Sequence, residues 1–444
     1  MMKNMVAVLL LMAFWTGYAQ DKEKAGTWSG QWRTYYLSTF NHQQLKDFHA
    51  LATGGKVKYV HSLGEHFQLG GALYTSFNLG IQDLTEPDQI TGKLSRYEVG
   101  LFDANNPGDR LVVIPGELFV RYKNGAHELT LGRMKIVSPF LNPEDGRMIP
   151  TLEQGLWYKF APKSNYKVQL GAFNAIAPRS TSGFYGIGES IGKYPVGSSV
   201  DGSASEYAGH THSAYILLGN VAFTPVKALD IEVWNYYADN VFNTFYIKPV
   251  LSHPNEKLSV ALEWLHQDRV GDGGNSIDSL RYFSHSQANV LGAEATMVVP
   301  KGKISLGYDH ILDGGRFLFP REWGREFLFS FQKRERSEGT ANNHALLLTY
   351  ERIFKLNTAK LKTITSMGHH WKPDVTNAED NKYAVPDYSQ LNLDLFYLSD
   401  KWTNLKPELL LVYKKSSGDF PDNPNFISNK VDLFQVNFIV NYDF

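Results

Sequence analysis

Phe434-Gln435-Val436-Asn437-Phe438-Ile439-Val440-Asn441-Tyr442-Asp443-Phe444 is the stretch whose period of two decides the fold class. Successive side chains of an extended segment point to opposite sides. Phe434, Val436, Phe438, Val440, Tyr442 and Phe444 therefore share one face, while Gln435, Asn437, Asn441 and Asp443 share the other, broken only by Ile439. The alternation recurs at Leu258, Val260, Leu262 and Trp264 against Lys257, Ser259, Ala261 and Glu263, and at Leu129 and Leu131 against Glu128 and Thr130. It is a property of the whole chain.

Between such segments the connections sort into two lengths. Short ones lie near Ser62–Glu65, Lys123–Gly125, Ala161–Ser164, Thr224–Lys227, Ser252–Asn255, Pro300–Gly302, Lys355–Asn357 and Asp400–Thr403. Gly, Pro, Asn and Asp there supply the backbone conformations of tight hairpins. Long polar stretches, 79–115, 175–209, 267–287, 313–341, 371–386 and 416–429, fall between them. Short turns at one rim and long loops at the other are the plan of bacterial transmembrane barrels. Two strands per short turn plus the first and last predict an all-β, transmembrane antiparallel β-barrel of about 18 strands. Lys93 to Phe102 also has strand character, which leaves counts of 16 and 20 open. A soluble sandwich is the alternative, but open sheets seldom reach this size and closure abolishes their edges.

Composition agrees. Lys3, the apolar run Met5 to Trp15 and Gly17-Tyr18-Ala19 read as a secretory signal peptide over 1–19, leaving 20–444 as a single barrel domain. No stretch offers the roughly 18 apolar residues of a transmembrane helix. With Cys 0, disulfides, thiolate zinc sites, cysteine nucleophiles and a lipidated N-terminal cysteine are excluded. Beyond the signal, 43 basic residues stand against 45 acidic ones, about −2, a balance unsuited to nucleic acid. Aromatic residues reach 14% although mean hydropathy is −0.30. Apolar outer faces, a wet lumen and aromatic girdles at both interfaces give that pairing.

The stretch Leu131-Gly132-Arg133-Met134-Lys135-Ile136-Val137-Ser138-Pro139-Phe140-Leu141-Asn142-Pro143-Glu144-Asp145-Gly146-Arg147-Met148-Ile149-Pro150, followed by Glu153-Gln154-Gly155-Leu156, resembles the third-loop region of the OprD family of outer-membrane porins. The shared pattern is a Gly-Arg pair at a strand end, a Pro element, an Asp-x-Arg-x-x-Pro element and a Glu-x-Gly near the next strand. Gly30-Gln31-Trp32-Arg33-Thr34-Tyr35-Tyr36 is similar to the family's opening strand. The resemblance covers a short part of the chain and falls after the fifth strand. It implies a third loop, Lys135 to Leu152, folded into the lumen as a constriction. It further implies a substrate-restricted channel for small solutes, often carboxylates and amino acids, moved down their gradient. The aromatic last residue likewise resembles the C-terminal signal by which outer-membrane barrels are recognised by the assembly machinery.

A wide barrel leaves an aqueous lumen, so selectivity needs a narrowing loop and charges that set its field. The expected constriction residues are Arg133, Lys135, Glu144, Asp145 and Arg147, with Arg133 and Arg147 foremost; the alternative for each is an ion pair that merely holds the loop to the wall. Register places Arg33, Arg121, Lys159 and Lys167 on the lumen face, as a basic track for anions. The family carries a basic ladder of arginines on its later strands. Here the last strand has Gln435, Asn437 and Asn441 inward and the late inward cations are chiefly Lys360 and Lys362, which puts a carboxylate preference in doubt.

Other features carry less. His369-His370 point to opposite faces of a strand, and neither they nor His210-x-His212 have a carboxylate set at ligand spacing, so no metal and no cofactor are expected. Gly271-Asp272-Gly273-Gly274-Asn275 lacks the acidic positions of a calcium loop. Lys333-Arg334-Glu335-Arg336 reads as a solvated outer-loop run within reach of lipopolysaccharide phosphates. The expectation is a non-enzymatic porin, a multi-pass barrel in the outer membrane of a Gram-negative cell. Its partners would be small hydrophilic solutes, outer-membrane lipid and lipopolysaccharide, and the barrel-assembly machinery through the Phe444 strand. Monomer and trimer both stay open. The alternatives are an alginate-export-like exporter of an anionic polysaccharide and a barrel-rim hydrolase.

Overall fold

A computed structural model describes residues 26–143, 147–163, 165–194 and 196–444. The signal peptide expected over 1–19 lies outside them. Eighteen strands form the wall: β1 Thr27–Asn41, β2 Phe48–Leu63, β3 Phe67–Asn78, β4 Leu111–Asn124, β5 His127–Met134, β6 Leu152–Phe160, β7 Tyr166–Ala177, β8 Ile216–Val226, β9 Leu229–Ala238, β10 Phe242–Ser252, β11 Leu258–Arg269, β12 Gln287–Val299, β13 Gly302–Ile311, β14 Asn343–Lys355, β15 Ala359–Trp371, β16 Tyr388–Ser399, β17 Leu405–Ser416 and β18 Leu433–Asp443. A two-residue ladder, Tyr185–Gly186, pairs with the outer end of β7 and adds no wall strand. Every strand pairs antiparallel with its sequence neighbours. β1 closes on β18 from Gln31 opposite Asp443 to Asn41 opposite Leu433, and the Gly30 N–H donates to the Phe444 carbonyl at 2.7 Å.

All the expected short turns join consecutive strands at one rim. At the other rim lie loop 1 (42–47), loop 2 (79–110), loop 3 (135–151), loop 4 (178–215), loop 5 (239–241), loop 6 (270–286), loop 7 (312–342), loop 8 (372–387) and loop 9 (417–432). Lys93 to Phe102 is not a strand. It carries one 3₁₀ turn, Val99–Leu101, and its alternating apolar residues are buried inside the barrel in loop 2, so the count is 18 rather than 16 or 20.

The alternation read from the terminal stretch governs the wall. Phe434, Phe438 and Tyr442 are exposed on the outside, while Gln435 and Asn437 are 0% exposed on the inside. Outward aromatic pairs mark both rims: Trp28–Tyr59 (4.7 Å), Phe67–Tyr122 (5.1 Å) and His127–Phe160 (4.7 Å) near the short turns, Phe245–Trp264 (5.8 Å) and His369–Trp371 (4.4 Å) near the loops. Such amphipathic rings settle at membrane interfaces, and closure gives the first and last strands each a partner, as a wall in lipid requires. The architecture is that of an outer-membrane barrel.

The apolar core sits inside the wall, in two clusters. One gathers Phe140 and Leu141 of loop 3 and Phe317, Leu318, Phe319, Trp323 and Leu328 of loop 7 against Tyr236, Phe242 and Tyr246. The other gathers Met148 and Ile149 of loop 3 and Tyr97, Leu101 and Phe102 of loop 2 against Tyr35, Leu37 and Tyr74. Loop 3 thus contributes to both clusters and crosses the lumen between them.

Candidate functional site: a lumen narrowed by two loops

Loop 3 is held in the lumen by loop 7. The Asn142 side chain donates to the Arg325 carbonyl at 2.8 Å and accepts from the Arg325 N–H at 3.2 Å. The Phe327 N–H donates to the Pro139 carbonyl at 3.1 Å, and the Thr151 hydroxyl to the Glu322 carbonyl at 3.1 Å. At Gly324, with φ +156, a Cβ would stand 2.7 Å from the Asn142 nitrogen and 2.8 Å from the Phe140 carbonyl oxygen, so the two backbones meet where only glycine fits.

Loop 7 in turn is fastened to the wall. Glu263 on β11 accepts from the Phe329 N–H at 2.8 Å, and Asp309 on β13 from the Ser330 N–H at 2.5 Å. Gln332 donates to the Ser366 hydroxyl on β15 at 2.9 Å. Lys333 pairs with Asp394 on β16 and, at 2.8 Å, with Glu408 on β17. Arg334 reaches Tyr35 on β1 and Asn437 on β18, and Lys414 on β17 donates to Glu335 at 2.8 Å. Residues 329–335 therefore follow the inner wall from β11 round to β1. The run Lys333-Arg334-Glu335-Arg336, expected as a solvated outer loop near lipopolysaccharide, lies inside the lumen because the wall offers it carboxylates and amides.

Within loop 7 two further ion pairs are buried, Arg321 with Glu338 at 2.5 Å and Arg336 with Glu326 at 2.8 Å. Burial pushes the Glu326 carboxyl up, but Arg336 and Arg321 outweigh it and hold the group below the usual range.

Two cavities flank loop 3. The one toward the short turns, about 480 Å³, is lined by Lys135, Ser138 and Pro139 of loop 3 with Lys159, Lys167 and Lys248 of the wall. The outer one, about 720 Å³, takes Arg147 from loop 3, Arg179 from loop 4, loop 7 arginines, Lys382 from loop 8 and cations of loops 2 and 9.

Among the expected constriction residues, Arg147 and Lys135 face the lumen. Arg147 donates to the Ser180 hydroxyl at 2.9 Å and packs on Gly100, and its carbonyl accepts from Arg33. Glu144 and Asp145 lie outside the described residues. Arg133 is not at the constriction. It stands opposite Leu118, which is 66% exposed on the lipid side, and two residues beyond Leu131, 58% exposed on the same side. Since β5 runs on to Met134, the alternation still applies and turns Arg133 outward, where it donates to Gln154 at 2.9 Å and lies 4.3 Å over Phe184.

Arg33, Arg121, Lys159 and Lys167 all face the lumen. Arg33 donates to Asn441 at 2.7 Å; Arg121 and Lys159 share Glu128 at 3.8 and 3.4 Å. The wall cations at Glu128 are thus neutralised in part. Sequence reasoning named the loop 7 cations but placed them outside the barrel, and it missed the cations of loops 4 and 8. The signal for loop 7 was its aromatic content, Phe317, Phe319, Trp323, Phe327, Phe329 and Phe331, too apolar for a solvated loop. His369 and His370 point to opposite faces: His369 joins Trp371 outside, and His370 stacks on Tyr388 at 4.8 Å inside.

No family model matches the chain, and no curated protein matches it. Among solved structures, Acinetobacter baumannii OccAB3 superposes with a TM-score of 0.71 at 12% identity, over 95% of this chain and 100% of that one. OpdK of Pseudomonas aeruginosa, solved with vanillate, does so with 0.68 at 14% identity, over 95% and 99%. Acinetobacter baumannii OccAB2 gives 0.70 at 15% identity, over 96% and 99%. The fold is that of the OprD-type porins. Like theirs, the wall of this chain is a closed antiparallel barrel. β16 and β18 hold no Lys or Arg, and the cations that line the outer cavity all come from loops.

Proposed function

We propose that the chain is a passive outer-membrane porin, without catalytic chemistry, that admits small hydrophilic solutes and favours anions. One observation carries the reading: eleven Lys and Arg residues line the outer cavity against a single carboxylate, Glu335, among the described residues. Glu335 is itself engaged by Lys414. A low-dielectric cleft lined by one sign of charge focuses its field and concentrates counter-ions. The last strand brings no cation to the lumen, and the cations that support an anion preference come from the loops that line the outer cavity. Vanillate, held by OpdK, is a small carboxylate and a suitable first solute to try. An exporter of anionic polymer is disfavoured, since two apolar clusters and loops 3 and 7 occupy the lumen that a polymer would need.

The test is reversal potential across a potassium chloride gradient in planar bilayers. Wild type should conduct in steps and prefer chloride. Arg147→Ala should lose part of that preference, while Arg133→Ala, facing lipid, should leave it intact. Cation preference, or no conductance, would overturn the reading.

A further inference from the structure

Loops 2 and 9 meet over the outer cavity, and cations make the contact. Lys93 donates to the Asn425 carbonyl at 3.3 Å and Arg96 to the Asn429 carbonyl at 3.4 Å, while the Asn429 amide donates to the Leu94 carbonyl at 3.3 Å. Lys430 of loop 9 donates to the Ala384 carbonyl of loop 8 at 3.2 Å. All three cations line the cavity. Among the described residues none of them meets a carboxylate; their polar partners are backbone carbonyls, which accept a hydrogen bond but cancel no charge.

The neighbours do not supply the missing charge. Arg321 of loop 7 is matched by Glu338 at 2.5 Å, and Lys382 of loop 8 stands 3.9 Å from the same Glu338. Lys193 of loop 4 pairs with Glu189 at 3.6 Å. Glu335, the cavity's carboxylate, is taken by Lys414 and by Lys372 at 3.9 Å. Converging cations in a half-enclosed cleft cost free energy unless an anion joins them.

We infer that Lys93, Arg96 and Lys430 form an anion site at the outer mouth, that it takes a small oxyanion carrying two negative charges, and that the bound anion ties loop 2 to loop 9. The inference rests on the porin reading only in taking the mouth as open to the external solution. The state of Lys430 agrees with it. Burial pushes its ammonium down to about 7, and Lys93, Arg96 and Arg321 add to the fall. A dianion would reverse this, so binding draws a proton onto Lys430 and weakens as pH rises through neutrality.

Calorimetric titration of the purified barrel with sulfate, which keeps both charges throughout, reads the site without any need for conduction. We expect saturable binding about tenfold tighter near pH 6 than near pH 8. Lys430→Gln should weaken it by about tenfold at the lower pH and flatten the pH dependence; Lys93→Gln with Arg96→Gln should weaken it and, by relieving Lys430 of two neighbouring cations, move the pH dependence to higher pH. Acetate, a monoanion, should bind at least about tenfold more weakly than sulfate. Succinate and methyl phosphate then separate a dicarboxylate from a phosphate ester as the preferred solute. Lys123→Gln, at the short-turn end of β4, is the control that should change nothing. Sulfate that fails to bind wild type, binds the Lys93→Gln, Arg96→Gln, Lys430→Gln triple variant equally, or is matched by acetate overturns the site. A barrel that conducts but does not bind sulfate overturns this inference alone, and one that binds but does not conduct overturns the porin reading alone.

Discussion

Loop 3 and loop 7 both leave the outer rim and fold into the lumen, yet different forces hold them. Loop 3 plugs Phe140 and Leu141 into one apolar cluster and Met148 and Ile149 into the other, and its Asn142 hydrogen-bonds to the loop 7 backbone. Loop 7 also packs Phe317, Leu318, Phe319, Trp323 and Leu328 into the first cluster, but it is tied by charge as well, to itself through Glu326–Arg336 and Arg321–Glu338 and to the wall through Lys333 and Glu335. The difference sets an order of dependence. Loop 7 is the scaffold, and loop 3 leans on it.

Glu326→Ala should break that order most severely. The carboxylate accepts from Arg336 at 2.8 Å and from the Ser337 and Glu338 N–H groups, and removing it strands a buried guanidinium, a loss of about 3–5 kcal/mol. Hydrogen exchange should show both loops deprotected and bilayer recordings a larger conductance. Loop 3 staying protected while loop 7 opens would show that the apolar clusters alone suffice.

Asn142→Ala sharpens the same comparison at roughly 1–3 kcal/mol. Protection should fall in loop 3 only, with loop 7 unchanged, because the wall contacts of loop 7 do not pass through Asn142. Gly324→Ala approaches the contact from the other side; its Cβ would stand 2.7 Å from the Asn142 nitrogen and 2.8 Å from the Phe140 carbonyl oxygen, so it should deprotect loop 3 as well.

Loop 2 adds a third kind of anchor and the smallest effect. Glu98 is buried and accepts from the Thr39 and Ser95 hydroxyls, and burial pushes its carboxyl up to about 7. Its pKa is raised on folding, so the stabilisation is complete below the ordinary carboxyl value and is lost as pH rises through about 7. Melting temperature should therefore be a few degrees higher near pH 5 than near pH 8. In Glu98→Gln that difference should shrink; an unchanged pH profile would place the sensitivity elsewhere.

The wall was legible because its code is local. Phe434 to Phe444 shows both faces within one strand, and turns such as Lys123-Asn124-Gly125 declare themselves over a few residues. Loop 3 was legible through its likeness to a known pattern, and only partly, since Arg133 follows the strand's alternation rather than the loop's path. Loop 7 was not legible. Lys333-Arg334-Glu335-Arg336 is an ordinary surface run until Asp394, Glu408 and Lys414, far along the chain, are brought to it. Ion pairing across such separations leaves no periodicity to read.

The seam between β1 and β18 bears on how such a chain can fail. Pairing is complete only when the first strand meets the last, from Gln31 opposite Asp443 to Asn41 opposite Leu433. A wall missing either partner would have two raw margins of unsatisfied peptide groups facing hydrocarbon, a condition no bilayer tolerates. Damage at the seam should therefore yield misassembled or degraded protein rather than a leakier pore.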